Sequence, residues 1–135
     1  MKIIKGKCIY WADPMVSEET VEIEYQKHVE PQFQEHGYQF ANVKCMDIPP
    51  YNEIDFDFLL FDYGGLLPGC ESLIQTNCRW LIEDARNHPS RCYVMVSSFT
   101  RQAMEDYLTD LDSSELHNIF MDVKSFINYY KGVCE

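Results

Sequence analysis

Residues 56 to 61, Phe-Asp-Phe-Leu-Leu-Phe, form a nearly continuous apolar run that Asp62-Tyr63-Gly64-Gly65 cuts off sharply. A strand with one wet face alternates apolar and polar residues. A run like this one needs burial on both faces, the condition of a central strand in a parallel sheet covered by helices on each side. Cys92-Tyr93-Val94-Met95-Val96 has the same character and stops at Ser97-Ser98, and Cys8-Ile9-Tyr10-Trp11-Ala12 stops at Asp13-Pro14. Three dry strands in a short chain demand two helical layers.

The segments between these strands supply them. Ile74, Cys78, Leu81, Ile82 and Ala85 recur at helical spacing within residues 70 to 87, and Met104, Tyr107, Leu108 and Leu111 do so in a helix read from about Thr100, with Ser98 as its cap. Between residues 17 and 37 two periods compete. Val21, Tyr25, Val29 and Phe33 recur every fourth residue, whereas Val21, Ile23 and Tyr25 alternate with Glu22 and Glu24 as a strand does. Helix is the preferred reading, because Ser17 can cap it, Glu18, Glu19 and Glu22 suit its positive first turn, and Gly37 can close it. Phe40 to Met46 reads as a second strand before a loop marked by Pro49 and Pro50, Ile119 to Val123 as a last short strand, and Ser125 to Tyr130 as a terminal helix fraying at Gly132.

The order β, α, β, loop, β, α, β, α, β, α calls for parallel strands joined by right-handed crossovers. The expected fold is a three-layer α/β sandwich, flavodoxin-like or Rossmann-like, with a small, mostly parallel sheet of about five strands. At 135 residues a single domain spanning 1–135 is expected, burying roughly two thirds of its unfolded surface. No repeat or linker divides it.

Charge narrows the partners. The net charge is −11, and no Lys or Arg occurs between Lys44 and Arg79, a stretch holding Asp47, Glu53, Asp55, Asp57, Asp62 and Glu71. Phosphate backbones and anionic lipid are repelled, so neither nucleic acid nor a membrane is an expected direct partner, while cations and basic protein surfaces are attracted. No apolar run approaches the roughly 18 residues of a membrane span, and Lys2, Lys5 and Lys7 interrupt the N-terminus where a secretion signal needs an apolar stretch. A soluble, cytoplasmic protein is expected. Its oligomeric state is not legible.

In open parallel sheets, sites form beyond the carboxyl ends of the strands. Those ends carry Asp13, Asp62, Ser97 with Ser98, and Lys124. The set resembles that of the receiver domains of two-component response regulators, in which an acid after the first strand helps hold Mg²⁺, an aspartate after the third accepts phosphate, a Ser or Thr follows the fourth, and a Lys follows the fifth. The resemblance implies that Asp62 is the phosphoacceptor, that Asp13 and Asp62 bind Mg²⁺, that Ser97 or Ser98 contacts the phosphoryl group, and that Lys124 is its charge partner. A carboxylate is a workable nucleophile toward phosphorus, and Mg²⁺ and an ammonium are what the added negative charge requires. The chain departs from the family pattern where Trp11 and Ala12 precede Asp13 in place of a second acid, where Gly64-Gly65 displaces the following proline to Pro68, and where Ser125 follows Lys124. A receiver-like or pseudo-receiver domain is therefore implied, a signalling or interaction module before an enzyme.

Other readings compete. Residues 60 to 67 also resemble the nucleophile motif of haloacid-dehalogenase-like phosphatases, with Ser97 and Lys124 as further motifs, yet that strand opens the phosphatase fold and comes third here. The charge points to a non-catalytic acidic protein or inhibitor covering a basic partner surface, a complementarity that salt weakens. Gly64 and Gly65 could cradle a phosphate or cofactor, although the chain holds no G-x-G-x-x-G or P-loop. Asp55-Phe56-Asp57 could hold a cation or face water. His28, His36, His88 and His117 have no metal-ligand spacing and are expected at the surface.

The six cysteines have no C-x-x-C and no framework spacing, which indicates reduced, mostly buried thiols. Cys70 and Cys78, eight residues apart on one helix, lie about 12 Å apart, beyond the roughly 7 Å a disulfide spans. Native protein is expected to react fast with a thiol reagent at one or two positions, Cys134 first, and at all six after denaturation without reductant. Four or fewer reactive thiols in the denatured, unreduced chain would refute the reduced state.

Overall fold

In the computed structural model, residues 1–12, 18–46, 50–51, 55–62, 71–109 and 116–134 are described. Strands β1 (Lys2–Ile4) and β2 (Cys8–Ala12) open the chain, followed by helix α1 (Glu18–Glu24), a π-helical turn (Tyr25–Val29) and helix α2 (Glu30–Gln34). Strands β3 (Tyr38–Phe40), β4 (Val43–Met46) and β5 (Phe58–Asp62) lead to α3 (Glu71–Asn87), β6 (Cys92–Met95), α4 (Ser98–Thr109), β7 (Ile119–Phe120) and α5 (Val123–Cys134). Strands β4-β2-β5-β6-β7 form one five-stranded sheet, parallel throughout. Counted in chain order within that sheet, the strands run 2-1-3-4-5, the flavodoxin-like order.

The alternation of side chains along each strand sorts the core into two. Cys8, Tyr10, Ala12, Phe58, Leu60, Cys92 and Val94 pack under α1, the π turn, α2 and α5 through Val21, Tyr25, Val29, Phe33, Val123, Phe126 and Ile127. Ile9, Trp11, Leu59, Phe61, Tyr93 and Met95 face the other way, onto Ile74, Cys78, Leu81, Ile82 and Ala85 of α3 and Met104 of α4. This is the three-layer sandwich. The link from β4 to β5 brings no described helix; Tyr51 covers that face, its hydroxyl 2.5 Å from Asn77 Oδ1 on α3 and its ring 5.0 Å from Trp80.

The helix reading of 17 to 37 holds, with a structural detail the periodicity contains. Four residues of α-helix turn through about 400°, so a strict four-residue repeat drifts by about 40° per step and leaves the buried face. Val21, Tyr25, Val29 and Phe33 are nevertheless all buried. The wider π turn between them slows the rotation and keeps the stripe on the sheet. Pro31, in the first turn of α2, supplies a local cause, since a proline ring clashes with the carbonyl four residues back in a regular helix. The Glu30 N–H bonds the carbonyl of Tyr25, five residues back. Gly37 closes the segment at φ +84, and its N–H bonds the Gln34 carbonyl.

Several boundaries differ from the sequence reading. The strand expected over Phe40 to Met46 is two: β3 pairs with β1 in a separate two-stranded sheet, and β4 pairs with β2. The break falls at Ala41 and Asn42, both exposed. Strand β1 went unread because three residues carry no measurable period and its partner lies far along the chain. Ile119 to Val123 is strand only to Phe120, since Asp122 caps a helix that begins at Val123. That helix runs through Gly132 to Cys134. Helix α4 begins at Ser98, and its cap is Ser97, whose Oγ accepts the Thr100 N–H at 3.2 Å. Ser17, Cys70 and Leu111 lie outside the described residues. Burial pushes the Cys8 thiol well above its ordinary value, that of Cys78 to about 12 and that of Cys92 to about 11, which agrees with inert core thiols; Cys134 is exposed.

Asp55 and Asp57 have a partner in the chain itself. The Lys7 ammonium lies 2.6 Å from Asp55 Oδ2, and the Lys7 backbone N–H donates to Asp57 Oδ2 at 2.8 Å. Gly6 makes the approach fit, with φ +132 and no side chain; a Cβ there would stand 2.8 Å from Asp57 Oδ2 and 2.9 Å from the Phe58 ring. Gly6→Ala is expected to lower unfolding free energy by about 1–3 kcal/mol. Urea denaturation measures it, and an unchanged midpoint would contradict the clamp.

Candidate functional site

Sheet order determines where a crevice forms. Strand β2 connects toward β4 on one side of the sheet and β5 toward β6 on the other, so the chain reverses direction between the adjacent strands β2 and β5. The space beyond the carboxyl ends of such a pair is left uncovered by crossovers and is where ligands bind in open α/β sheets. Asp62 is the last residue of β5, directly opposite Ala12, the last of β2. It is half-buried.

Its surroundings come from three layers. Tyr10, two residues back on β2 and on the same face, is 1% exposed, and its hydroxyl donates to Asp62 Oδ2 at 2.5 Å. The Ser97 hydroxyl, beyond the end of β6, lies close enough to favour the charged carboxylate, while its own hydrogen bonds go to Thr100. From the helical layer, Glu24 disfavours the charged carboxylate and His28, when protonated, favours it. These two lie one turn apart, His28 Nε2 3.4 Å from Glu24 Oε2, at the junction of α1 and the π turn. Burial raises the Asp62 pKa above its ordinary value, while the Tyr10 hydrogen bond, the nearby Ser97 hydroxyl and His28 oppose the shift. The same burial, with the Asp62 charge and hydrogen bond, pushes the Tyr10 phenol far above its ordinary range. At neutral pH Tyr10 is therefore a fixed donor.

The strand tips are tied together. Thr100 Oγ1 donates to the Phe61 carbonyl at 3.2 Å, Val96 N–H to the same carbonyl at 3.3 Å, and Gln32 Nε2 on α2 to the Val96 carbonyl at 3.0 Å. Ser97 is thus held by its own helix cap and by the ties of Val96 to β5 and α2. Ser97 Oγ accepts the Thr100 N–H and lies 2.9 Å from Thr100 Oγ1, so it meets an anion only when its proton turns away from Thr100.

Asp62 and Ser97 come together. Ser98 opens α4 and is exposed. Lys124 lies exposed in the first turn of α5, where its charge, with that of Arg101, acts on Asp122. Asp13, Gly64 and Gly65 lie outside the described residues. Among the described residues no group of three or more His, Cys, Asp or Glu side chains is placed to hold a metal ion. No described helix is long and apolar enough to cross a membrane. Sequence reasoning missed Tyr10, Glu24 and His28. The signal for Tyr10 was a hydroxyl two places from a strand tip, and for the others an acid and a base at i, i+4.

Compared with known protein families, with curated proteins and with solved structures, the chain matches none of them significantly.

The neighbourhood of Lys124 yields a check on how α5 is held. Asp122 Oδ1 accepts the Ser125 N–H at 2.7 Å, and this bond holds the Asp122 carboxyl below its ordinary value of 3.8. Asp122→Ala is expected to cost about 1 kcal/mol at neutral pH. Because the folded pKa is depressed, the contribution is present above 3.8 and is lost as pH falls through the lower folded value. Urea midpoints of wild type and variant should converge in strong acid; a gap that persists there would mean that the charged cap is not its source.

Proposed function

We propose that this chain is a receiver-like signalling and interaction domain in which Asp62 accepts a phosphoryl group. The observation that carries the reading is a half-buried carboxylate, Asp62, held by the Tyr10 hydroxyl at the switch point of a 2-1-3-4-5 parallel sheet, with Ser97 capping α4 just beyond the adjacent strand. The carboxylate ends a central strand, is only half-buried, and stands beside a hydroxyl that a phosphoryl oxygen could use. Ser97 is favoured over Ser98 because its hydroxyl already acts on Asp62.

A small phosphodonor such as acetyl phosphate supplies the group. A lone pair of an Asp62 carboxylate oxygen forms the new O–P bond, the P–O bond to acetate breaks, and acetate leaves with the electron pair. In this reading Asp13 and Asp62 would hold Mg²⁺, whose charge would offset that of the phosphoryl oxygens. Lys124 is the charge partner that the resemblance implies. The acidic charge of −11 favours a protein partner with a basic surface, associating more weakly as salt rises. Within the base-free stretch, Lys7 already engages Asp55 and Asp57, which leaves that patch less attractive to a partner than its sequence implies.

The test is intact-protein mass spectrometry after incubation with acetyl phosphate and Mg²⁺. Wild type should gain one phosphoryl group that is labile to hydroxylamine, and Asp62→Asn should gain none. A wild-type protein that gains nothing, and whose spectrum is unmoved by beryllofluoride with Mg²⁺, would remove Asp62 as an acceptor.

A further inference from the structure

A carboxylate offers two oxygens, and at Asp62 one of them is taken. Tyr10 Cα lies two residues back from the level of Asp62, about 6.6 Å along the strand direction, and a tyrosine side chain spans that gap. Its hydroxyl meets Oδ2 at 2.5 Å, and its ring is fixed in the core with its centroid 5.5 Å from that of Tyr25, the first residue of the π turn. Neither partner can move far, because Tyr10 is 1% and Tyr25 6% exposed.

Resting on the reading of Asp62 as the phosphoacceptor, we propose that Tyr10 is the positioning residue of this site: it pins Oδ2, leaves Oδ1 as the oxygen that bonds to phosphorus, and senses the change. The balance of the step explains the sensing. When Oδ1 bonds to phosphorus and acetate departs, Oδ2 turns from half of an anion into the carbonyl oxygen of a neutral mixed anhydride. A hydrogen bond to an ion is markedly stronger than one to a neutral carbonyl. The Tyr10 bond is therefore strong before phosphorylation and weak after it. Two consequences follow for the chain. Tyr10 restrains the reaction by stabilising the unreacted carboxylate, and its phenol, held in place by the packed ring, registers the change in the acceptor it faces.

Tyr10→Phe removes the hydroxyl and keeps the ring on Tyr25. With acetyl phosphate and Mg²⁺ at a pH where Asp62 is ionised, the variant is expected to gain its phosphoryl group faster than wild type by roughly fivefold, the size of the difference between a hydrogen bond to a charged acceptor and one to a neutral acceptor. The second readout follows the wild-type protein. Its tyrosine Cζ carbons, labelled with ¹³C and with the Tyr10 signal assigned by its loss in Tyr10→Phe, should show that signal shifting on beryllofluoride and Mg²⁺ addition, and no shift in Asp62→Asn. If wild type is phosphorylated while the Tyr10 signal stays fixed and the Tyr10→Phe rate equals or falls below the wild-type rate, Tyr10 is a packing residue only and the proposal is wrong. If wild type takes up no phosphoryl group, the reading of Asp62 fails and this inference falls with it.

Discussion

Strands β2, β5 and β6 have no face left for water, and that constraint governs the remainder of the molecule. Every residue of β2 and of β6 is buried, as are the first four of β5. Backbone polar groups in such strands are satisfied by parallel pairing on both edges, and side chains are satisfied only if a helical layer lies on each face. Helices α1, α2 and α5 must therefore take one face and α3 and α4 the other. Polar chemistry is excluded from the sheet interior. It can begin only where a strand ends.

Asp62 is where one does. Burial alone would favour a protonated carboxyl there, and the Tyr10 hydrogen bond and the nearby Ser97 hydroxyl work against that tendency. The hydroxyl of Tyr10 is admissible in a dry layer because its single donor has a charged acceptor at the layer's rim. On the opposite face and at the opposite end of the sheet a comparable arrangement is closed and structural. Asp84 of α3 receives the Tyr93 hydroxyl at 2.5 Å and Arg91 at 3.1 Å, and Arg91 stacks over Phe56 at 4.1 Å. The carboxylate of that cluster is only 12% exposed and Arg91 10%. The two clusters share the device of a buried tyrosine serving a carboxylate. They differ in access, because Asp62 ends a strand at the switch point whereas Asp84 lies inside a helix turn closed by Arg91.

The helical cover over the Asp62 face shows how side-chain spacing and backbone geometry adjust to each other. A four-residue repeat and a proline at position 31 both disfavour an uninterrupted α-helix across Tyr25 to Pro31. The π turn accommodates both, and it brings Glu24 and His28 within electrostatic range of Asp62. Steric necessity and the composition of the site thus coincide in one turn of helix.

Elements whose identity is a local matter can be read from the order of residues alone. The apolar run ending at Asp62, the spacing of Ile74 to Ala85, and Gly37 after Phe33 each specify a backbone state through contacts within a few residues, so the dry strands, their helical layers and the α/β class were legible. So was Asp62 as a strand-tip acid. Only the tertiary structure decided what surrounds it. Tyr10 reaches Asp62 across 52 residues of chain, Lys7 reaches Asp55 across 48, and β1 meets β3 through three-residue strands too short to carry a period. Those neighbours are set by strand order and register, which arise when the chain closes on itself and alternate residues must all find cover on the correct face. Even the choice between Ser97 and Ser98 as helix cap depended on one strand ending a residue sooner than its apolar run, a boundary that pairing with β5 imposes and that hydrophobicity alone does not mark.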